Sequence, residues 1–325
     1  MKIGVLGGGA WGTALAQVAA GGGETLLWGR EPEVVESINE AQENRLFLPG
    51  LSLDPAIRAT GDLEALAECA ALLVVTPAQH MRAVLAALPR LAVPLILCAK
   101  GMEEATMELM HEVARDAQPH APVAVLSGPT FAHEVAAGLP AAVTLAVEDR
   151  VLGERLRDRI ARPWFRPYLS NDVIGAEIGG AVKNVLAIAC GVVEGRRLGL
   201  NARSALISRG FAEMTRFGLA RGARAETLAG LSGLGDLVLT CSSTSSRNFS
   251  LGKGLGEGRR SAELLADRRT VAEGAYTAPV LARAARQAGV DMPIVAAVCA
   301  LLAGEASVDQ VVERLLSRPL RSEGV

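Results

Sequence analysis

Histidine, cysteine and aromatic residues are scarce in this chain of 325 residues. It has four histidines and five cysteines, and Phe, Trp and Tyr together make up 3%. The histidines (His80, His111, His120, His133) all fall in the first half, so no histidine acid or base can come from the second. His133 lies in a helical run and reads as solvated. The cysteines (Cys69, Cys98, Cys190, Cys241, Cys299) are odd in number, scattered and form no C-x-x-C pair. This argues against a zinc site and a disulfide framework, and no metal is expected. A reducing cytoplasm is the simplest setting. Charge is nearly balanced, 33 basic against 35 acidic residues, with no basic block. Nucleic acid and anionic membranes are therefore not expected partners. Apolar runs such as residues 294–303 are far too short to cross a bilayer.

What the chain does have is apolar residues, half of the total, over a length that suggests about two domains. Strand-like runs at 24–28, 71–75, 95–99, 123–126 and 141–147 alternate with helical runs at 33–39, 63–68, 79–87, 104–115, 131–137 and 151–160. Several strands are continuously apolar, as expected where both faces are covered. The alternation ends at the Pro-rich aromatic stretch 162–168. Beyond it nearly everything reads as helix: 178–193, 202–221, 225–231, 261–265, 278–288, 294–302 and 308–316. The expected fold is α/β, a Rossmann-type doubly wound domain over residues 1–169 followed by an all-α domain over 170–325.

At the N-terminus a short apolar strand meets a glycine turn, in which Gly7, Gly9 and Gly12 fit G-x-G-x-x-G. The spacing has a mechanism. The first glycine makes the tight turn, the second lets the backbone approach a pyrophosphate, and the third lets helix and strand pack closely. The pyrophosphate then lies on free N–H groups at the helix start. A secretory signal has a similar outline, with one Lys, an apolar stretch and the small residues Val18-Ala19-Ala20. Five glycines within residues 4–12 would break its helix.

The second strand closes on Trp28-Gly29-Arg30-Glu31. An acid at that point binds a ribose 2′-hydroxyl, whereas an arginine accepts a 2′-phosphate. Arg30 comes first, and Glu31 opens the next helix ahead of Pro32. This favours NADP(H), with NAD(H) still open; Arg30 also reads as a solvated loop residue. Lys100 follows an apolar strand, where α/β sheets bind ligands, or it is an ordinary surface lysine. Residues 127–132 (SGPTFA) form a strand-to-helix turn whose Thr130 could cap the helix. Lys183 and Asn184 are the only strongly polar residues in the run 178–193. A lysine there is desolvated and its pKa lowered towards proton transfer, or it snorkels to water. Asp236 sits in a glycine turn ahead of the Ser/Thr patch 240–246, and Ser246, Arg247 and Asn248 together suit a phosphate. A hydrophilic surface loop is the plain alternative.

Taken together these segments resemble bacterial NAD(P)-dependent glycerol-3-phosphate dehydrogenase. The resemblance rests on residues 7–16 (GGGAWGTALA), 27–30 (LWGR), 47–50 (FLPG), 99–101 (AKG) and 127–132. It continues through Lys183-Asn184, 233–236 (GLGD), 246–248 (SRN) and 271–274 (VAEG), nearly end to end. It implies hydride transfer between NAD(P)H and dihydroxyacetone phosphate, giving sn-glycerol 3-phosphate for phospholipid synthesis, by a homodimer in the cytoplasm. It also implies that Lys183 handles the proton on the C2 oxygen. Lys100, Gly128, Thr130, Lys183, Asp236, Ser246, Arg247 and Asn248 would hold substrate. Beyond the glycines, Ala10, Trp11, Arg30, Lys100, Ala132, Arg247, Val271 and Glu273 would contact cofactor. Departures from the family are slight: Thr130 where Ser is usual, Gly8 where Ala is common, and a loose Gly21-Gly22-Gly23 loop. A ketopantoate-type reductase and a non-enzymatic nucleotide sensor are the alternatives. The sensor would have no use for a proton donor.

Overall fold

The structure is a computed structural model, described here over residues 2–266 and 272–319. Among the described residues, eight strands form one sheet in the order β3-β2-β1-β4-β5-β6-β7-β8. They are β1 (Ile3–Leu6), β2 (Thr25–Trp28), β3 (Ile57–Thr60), β4 (Ala71–Val74), β5 (Leu95–Leu97), β6 (Val123–Ser127), β7 (Ala141–Ala146) and β8 (Phe165–Ser170). The first six run parallel; β7 is antiparallel to β6 and parallel to β8. β1, β4, β5 and β6 are buried at every position, which is why they are apolar without alternation. The connecting helices are α1 (Ala10–Ala20), α2 (Pro32–Ala41), α3 (Met81–Ala86), α4 (Met110–Ala117), α5 (Ala132–Ala136) and α6 (Arg150–Ile160). The winding reverses between β1 and β4, so a crevice opens at the carboxyl ends of these strands.

After β8 the described chain is helical: α7 (Val173–Gly195), α8 (Gly199–Ala220), α9 (Ala225–Ala229), α10 (Asp236–Thr240) and α11 (Arg247–Gly256), then α12 (Ser261–Leu264), α13 (Glu273–Gln287), α14 (Pro293–Ala303) and α15 (Val308–Leu316). α7 is the axis of this half, and every residue from Gly175 to Val192 is buried. By length and composition it could cross a bilayer, unlike the shorter runs weighed above, but its apolar surface is consumed inside the protein. Its backbone meets that of α11 through glycines. A Cβ on Gly191 would lie 2.0 Å from the Phe249 carbonyl oxygen, and one on Gly252 1.9 Å from that of Ile188.

Three sequence expectations need correction. The stretch 162–168, to which no strand is assigned in the sequence, carries most of β8 at the sheet's outer edge. The helix expected at 104–115 starts only at Met110. Before it the chain hooks back, with Met102 bridged to Leu109 and the Arg82 guanidinium holding Glu103 at 2.9 Å and Glu108 at 2.7 Å. The helix expected at 63–68 is a short 3₁₀ helix, Glu64–Glu68.

Candidate active site

The crevice is floored by the turn after β1. Gly12 faces Gly7 so closely that a Cβ on it would lie 1.8 Å from the Gly7 carbonyl oxygen. At Gly9 a Cβ would meet nothing within 4 Å, so that flank of the turn is open to an approaching group. Ala10, Trp11 and Gly12 begin α1, where N–H groups have no carbonyl one turn back within the helix. The Trp11 indole nitrogen is buried without a partner among the described residues. A tight turn, an open backbone and free donors fit the pyrophosphate of a dinucleotide. Arg30 is exposed just beyond β2 and pairs with Glu31 at 2.7 Å. Ala132 opens α5, which packs on α1. Val271 lies outside the described residues.

α7 docks over the carboxyl ends of β5 and β6. A Cβ on Gly180 would lie 3.2 Å from both Lys100 Cγ and Ser127 Oγ, so the helix sits directly on these loops. One turn further on, Lys183 is only 6% exposed. Its Nζ donates to Asp236 Oδ1 at 2.7 Å and to Thr240 Oγ1 at 2.8 Å. Lys100 Nζ donates to the other oxygen of Asp236 at 2.6 Å and to the Gly128 carbonyl at 3.2 Å. Two ammonium groups from different halves of the chain thus share one fully buried carboxylate.

Burial pushes the Lys183 ammonium down to about 8, and Lys100 adds to the fall while Asp236 opposes it. Burial alone would raise the Asp236 carboxyl, but the two ammonium groups outweigh it and hold it below its ordinary value. Lys183 is therefore not a snorkelling lysine; of the two readings open in the sequence, the desolvated one holds.

A chain of amides joins this trio to the other candidates. Asn184 Nδ2 donates to the Lys100 carbonyl at 3.4 Å, and Asn248 Nδ2 to Asn184 Oδ1 at 2.9 Å. Asn248 Oδ1 accepts from the Gly274 N–H at 2.9 Å, at the start of α13. Ser246 caps α11, its Oγ accepting from the Phe249 N–H at 3.2 Å. Arg247 is exposed at the first position of that helix. Glu273 opens α13; burial raises its pKa against the pull of Arg247 and the Ala78 N–H. Thr130 does not cap α5. The cap residue is Phe131, and the Thr130 hydroxyl donates back to the Gly128 carbonyl at 3.3 Å. Gly128 admits no side chain, since a Cβ there would lie 2.8 Å from Val143 Cα.

Thr240 was missed in the sequence as a partner of Lys183. Asp236 and Thr240 are four residues apart on α10 and so share a face, a spacing that points to the pair once the helix is recognised.

A doubly wound dinucleotide crevice with a paired, buried lysine at its mouth defines a class, the two-domain NAD(P)-dependent reductases. Comparison with known proteins narrows it. Residues 2–152 match the profile described as "NAD-dependent glycerol-3-phosphate dehydrogenase N-terminus", and residues 172–313 match that family's C-terminus. The chain is 65% identical over 323 residues to glycerol-3-phosphate dehydrogenase [NAD(P)+] of Erythrobacter litoralis, covering 99% of this chain and 98% of that one. The glycerol-3-phosphate dehydrogenase structure from Coxiella burnetii superposes with a TM-score of 0.93 at 38% identity, covering 98% and 99% of the two chains. A ketopantoate reductase from Ralstonia eutropha, at 16% identity, TM-score 0.60 and coverage of 97% and 100%, shares the fold alone. The chain belongs to the NAD-dependent glycerol-3-phosphate dehydrogenase family and is an NAD(P)-dependent oxidoreductase.

Proposed function

We propose that the protein reduces dihydroxyacetone phosphate to sn-glycerol 3-phosphate, with NADPH preferred to NADH. The observation that carries this reading is the Lys183–Asp236–Lys100 trio at the mouth of the crevice. Gly7, Gly9, Ala10, Trp11 and Gly12 would hold the dinucleotide pyrophosphate. Arg30 would take the 2′-phosphate, with Lys100, Ala132, Arg247, Val271 and Glu273 completing the cofactor contacts. When bound, the nicotinamide supplies the hydride that reduces the ketone carbon.

Lys183 stabilises the charge growing on the ketone oxygen and delivers a proton to it from Nζ. Asp236 and Thr240 aim that Nζ, so it need not reorganise during the reaction. Because Lys100 and Lys183 share one carboxylate, the trio keeps a net positive charge, which suits an anionic substrate. The α11 start, with Ser246, Arg247 and Asn248, takes the substrate phosphate beside Lys100, Gly128 and Thr130. Binding this remote group orients the ketone. The division of labour follows the chain, residues 1–169 for the cofactor and 170–325 for most of the chemistry. In support, the sheet ends at Ser170 and α7 begins at Val173. The product would feed glycerophospholipid synthesis, made by a homodimer in the cytoplasm.

The test is NADPH and NADH oxidation with dihydroxyacetone phosphate and, separately, ketopantoate. Turnover is expected with the phosphorylated ketone, faster with NADPH. Activity with ketopantoate only would refute the substrate, and equal use of both cofactors would refute the preference.

A further inference from the structure

The connection from α2 to β3 contains the FLPG segment of the sequence, to which the proposed mechanism gives no role. It is a compact hook. Gln42 adopts φ +51°, the Leu48 N–H donates to the Asn44 carbonyl at 2.9 Å, and the Gly50 N–H donates to Glu43 Oε1 at 2.8 Å. The hook turns one polar side chain inward. Asn44 is 0% exposed, among the most deeply buried polar residues of the described chain. Its Nδ2 donates to the Gly8 carbonyl at 2.8 Å and to Thr13 Oγ1 at 2.7 Å, while its Oδ1 accepts from the Phe47 N–H at 3.1 Å. Thr13, also 0% exposed, passes the link on by donating to the Gly9 carbonyl at 3.0 Å.

Both carbonyls belong to the glycine turn. Glycine backbones are the least self-constrained, so something outside the turn must fix its peptide planes. Holding the Gly8 and Gly9 carbonyls inward turns the N–H groups that follow them, at Gly9 and Ala10, to the other side. We propose that Asn44 is a positioning residue for cofactor binding, an inward strut that presets the phosphate turn for a dinucleotide pyrophosphate. This rests on the cofactor site proposed above. Asn44 and Thr13 are both fully buried behind the turn, so neither is exposed to contact either end of a bound dinucleotide. Its effect is therefore common to NADH, NADPH and any fragment with the pyrophosphate.

The test measures dissociation constants for NADH, NADPH and ADP-ribose by fluorescence and calorimetry on wild type, Asn44→Ala and Thr13→Val, beside steady-state kinetics and thermal melts. In Asn44→Ala all three dissociation constants should rise about tenfold or more, by similar factors. The KM for dihydroxyacetone phosphate should stay within about twofold, and the loss should appear in cofactor KM rather than in kcat at saturating cofactor. Thr13→Val keeps the shape and the backbone N–H bond to the Gly9 carbonyl but removes the hydroxyl that joins Asn44 to Gly9, so it should move the same constants by less; it decides the matter if Asn44→Ala does not fold. Unchanged cofactor dissociation constants in a folded variant would overturn the proposal. So would a uniform loss across cofactor, substrate KM, kcat and melting temperature, the mark of a merely structural residue. If the wild type binds none of the three ligands, the cofactor site itself is wrong, an outcome separate from failure of the strut.

Discussion

A buried lysine holds its proton less firmly than one in water, because the interior penalises its charge. Lys183 is lowered to about 8 in this way. Ketone reduction needs it protonated and alcohol oxidation needs it neutral. The rate of reduction should therefore be level below pH 8 and fall above it, while oxidation rises through the same range; pH profiles of kcat in both directions check this. Lys183→Ala should lose about 10²–10⁴ in kcat, the usual worth of a general acid, while NADPH binding persists. Arg30→Asp should raise the KM for NADPH and leave that for NADH nearly unchanged; an equal effect on both would remove Arg30 as the 2′-phosphate reader. Lys183 was legible in the sequence because it interrupts an apolar helical run. Its carboxylate partner was not, since nothing local ties position 183 to position 236. Only the fold brings Lys100 to the other oxygen of Asp236.

Helix ends show how one element completes another. α14 starts at Pro293 behind Met292, whose side chain makes no capping bond. Glu213 of α8 supplies the acceptor instead, taking the Ile294 N–H at 2.8 Å and the Val295 N–H at 3.3 Å. Glu213→Ala leaves these donors without a partner and should cost roughly 1–3 kcal/mol in denaturant unfolding. Burial pushes the Glu213 carboxyl up to about 7, against the pull of those N–H groups and Arg216. The folded protein then keeps a proton that the unfolded chain has released. Its stabilising effect is complete below the ordinary glutamate range and is lost as pH rises through about 7. Melting curves of Glu213→Gln should lack that decline. The same scale explains what the sequence hid. β8 carries Pro167, which an outer strand tolerates because its free edge needs no donor. α11 holds Gly252, Gly254 and Gly256, poor helix formers read one at a time. Gly252 and Gly256, one turn apart, meet the backbone of α7, while Gly254 faces Leu264 of α12, so the reason resides in the partner helices. The inner strands needed no such partner to be read, because burial on both faces writes itself as an unbroken apolar run.

At the scale of the whole molecule, the sheet and the helical half are locked together by a buried pair that lies apart from the proposed chemistry. Glu177 of α7 accepts from the backbone N–H of His111 on α4 at 2.8 Å, and its second oxygen lies 2.6 Å from the His111 Nδ1. A half-buried pair, Arg221 with Glu112 at 3.6 Å, flanks it. Burial pushes the Glu177 carboxyl up and works against the imidazolium, but the bond to Glu177 wins and raises His111 as well. Each group thus holds its proton above its ordinary range, Glu177 through burial and His111 through Glu177. Removing one partner of such a pair leaves the other buried without compensation, typically about 3–5 kcal/mol. His111→Ala and Glu177→Leu should each be destabilising, and the double variant should cost less than their sum by about 1 kcal/mol or more. Because both groups are raised, the pair's contribution is largest at low pH and is lost as pH rises through the elevated histidine range. Denaturant melts of the four proteins at pH 6 and pH 9 test both points. Additive costs would show that α4 and α7 are held by their apolar contacts alone, and a coupling that grows with pH would refute the stated pH dependence.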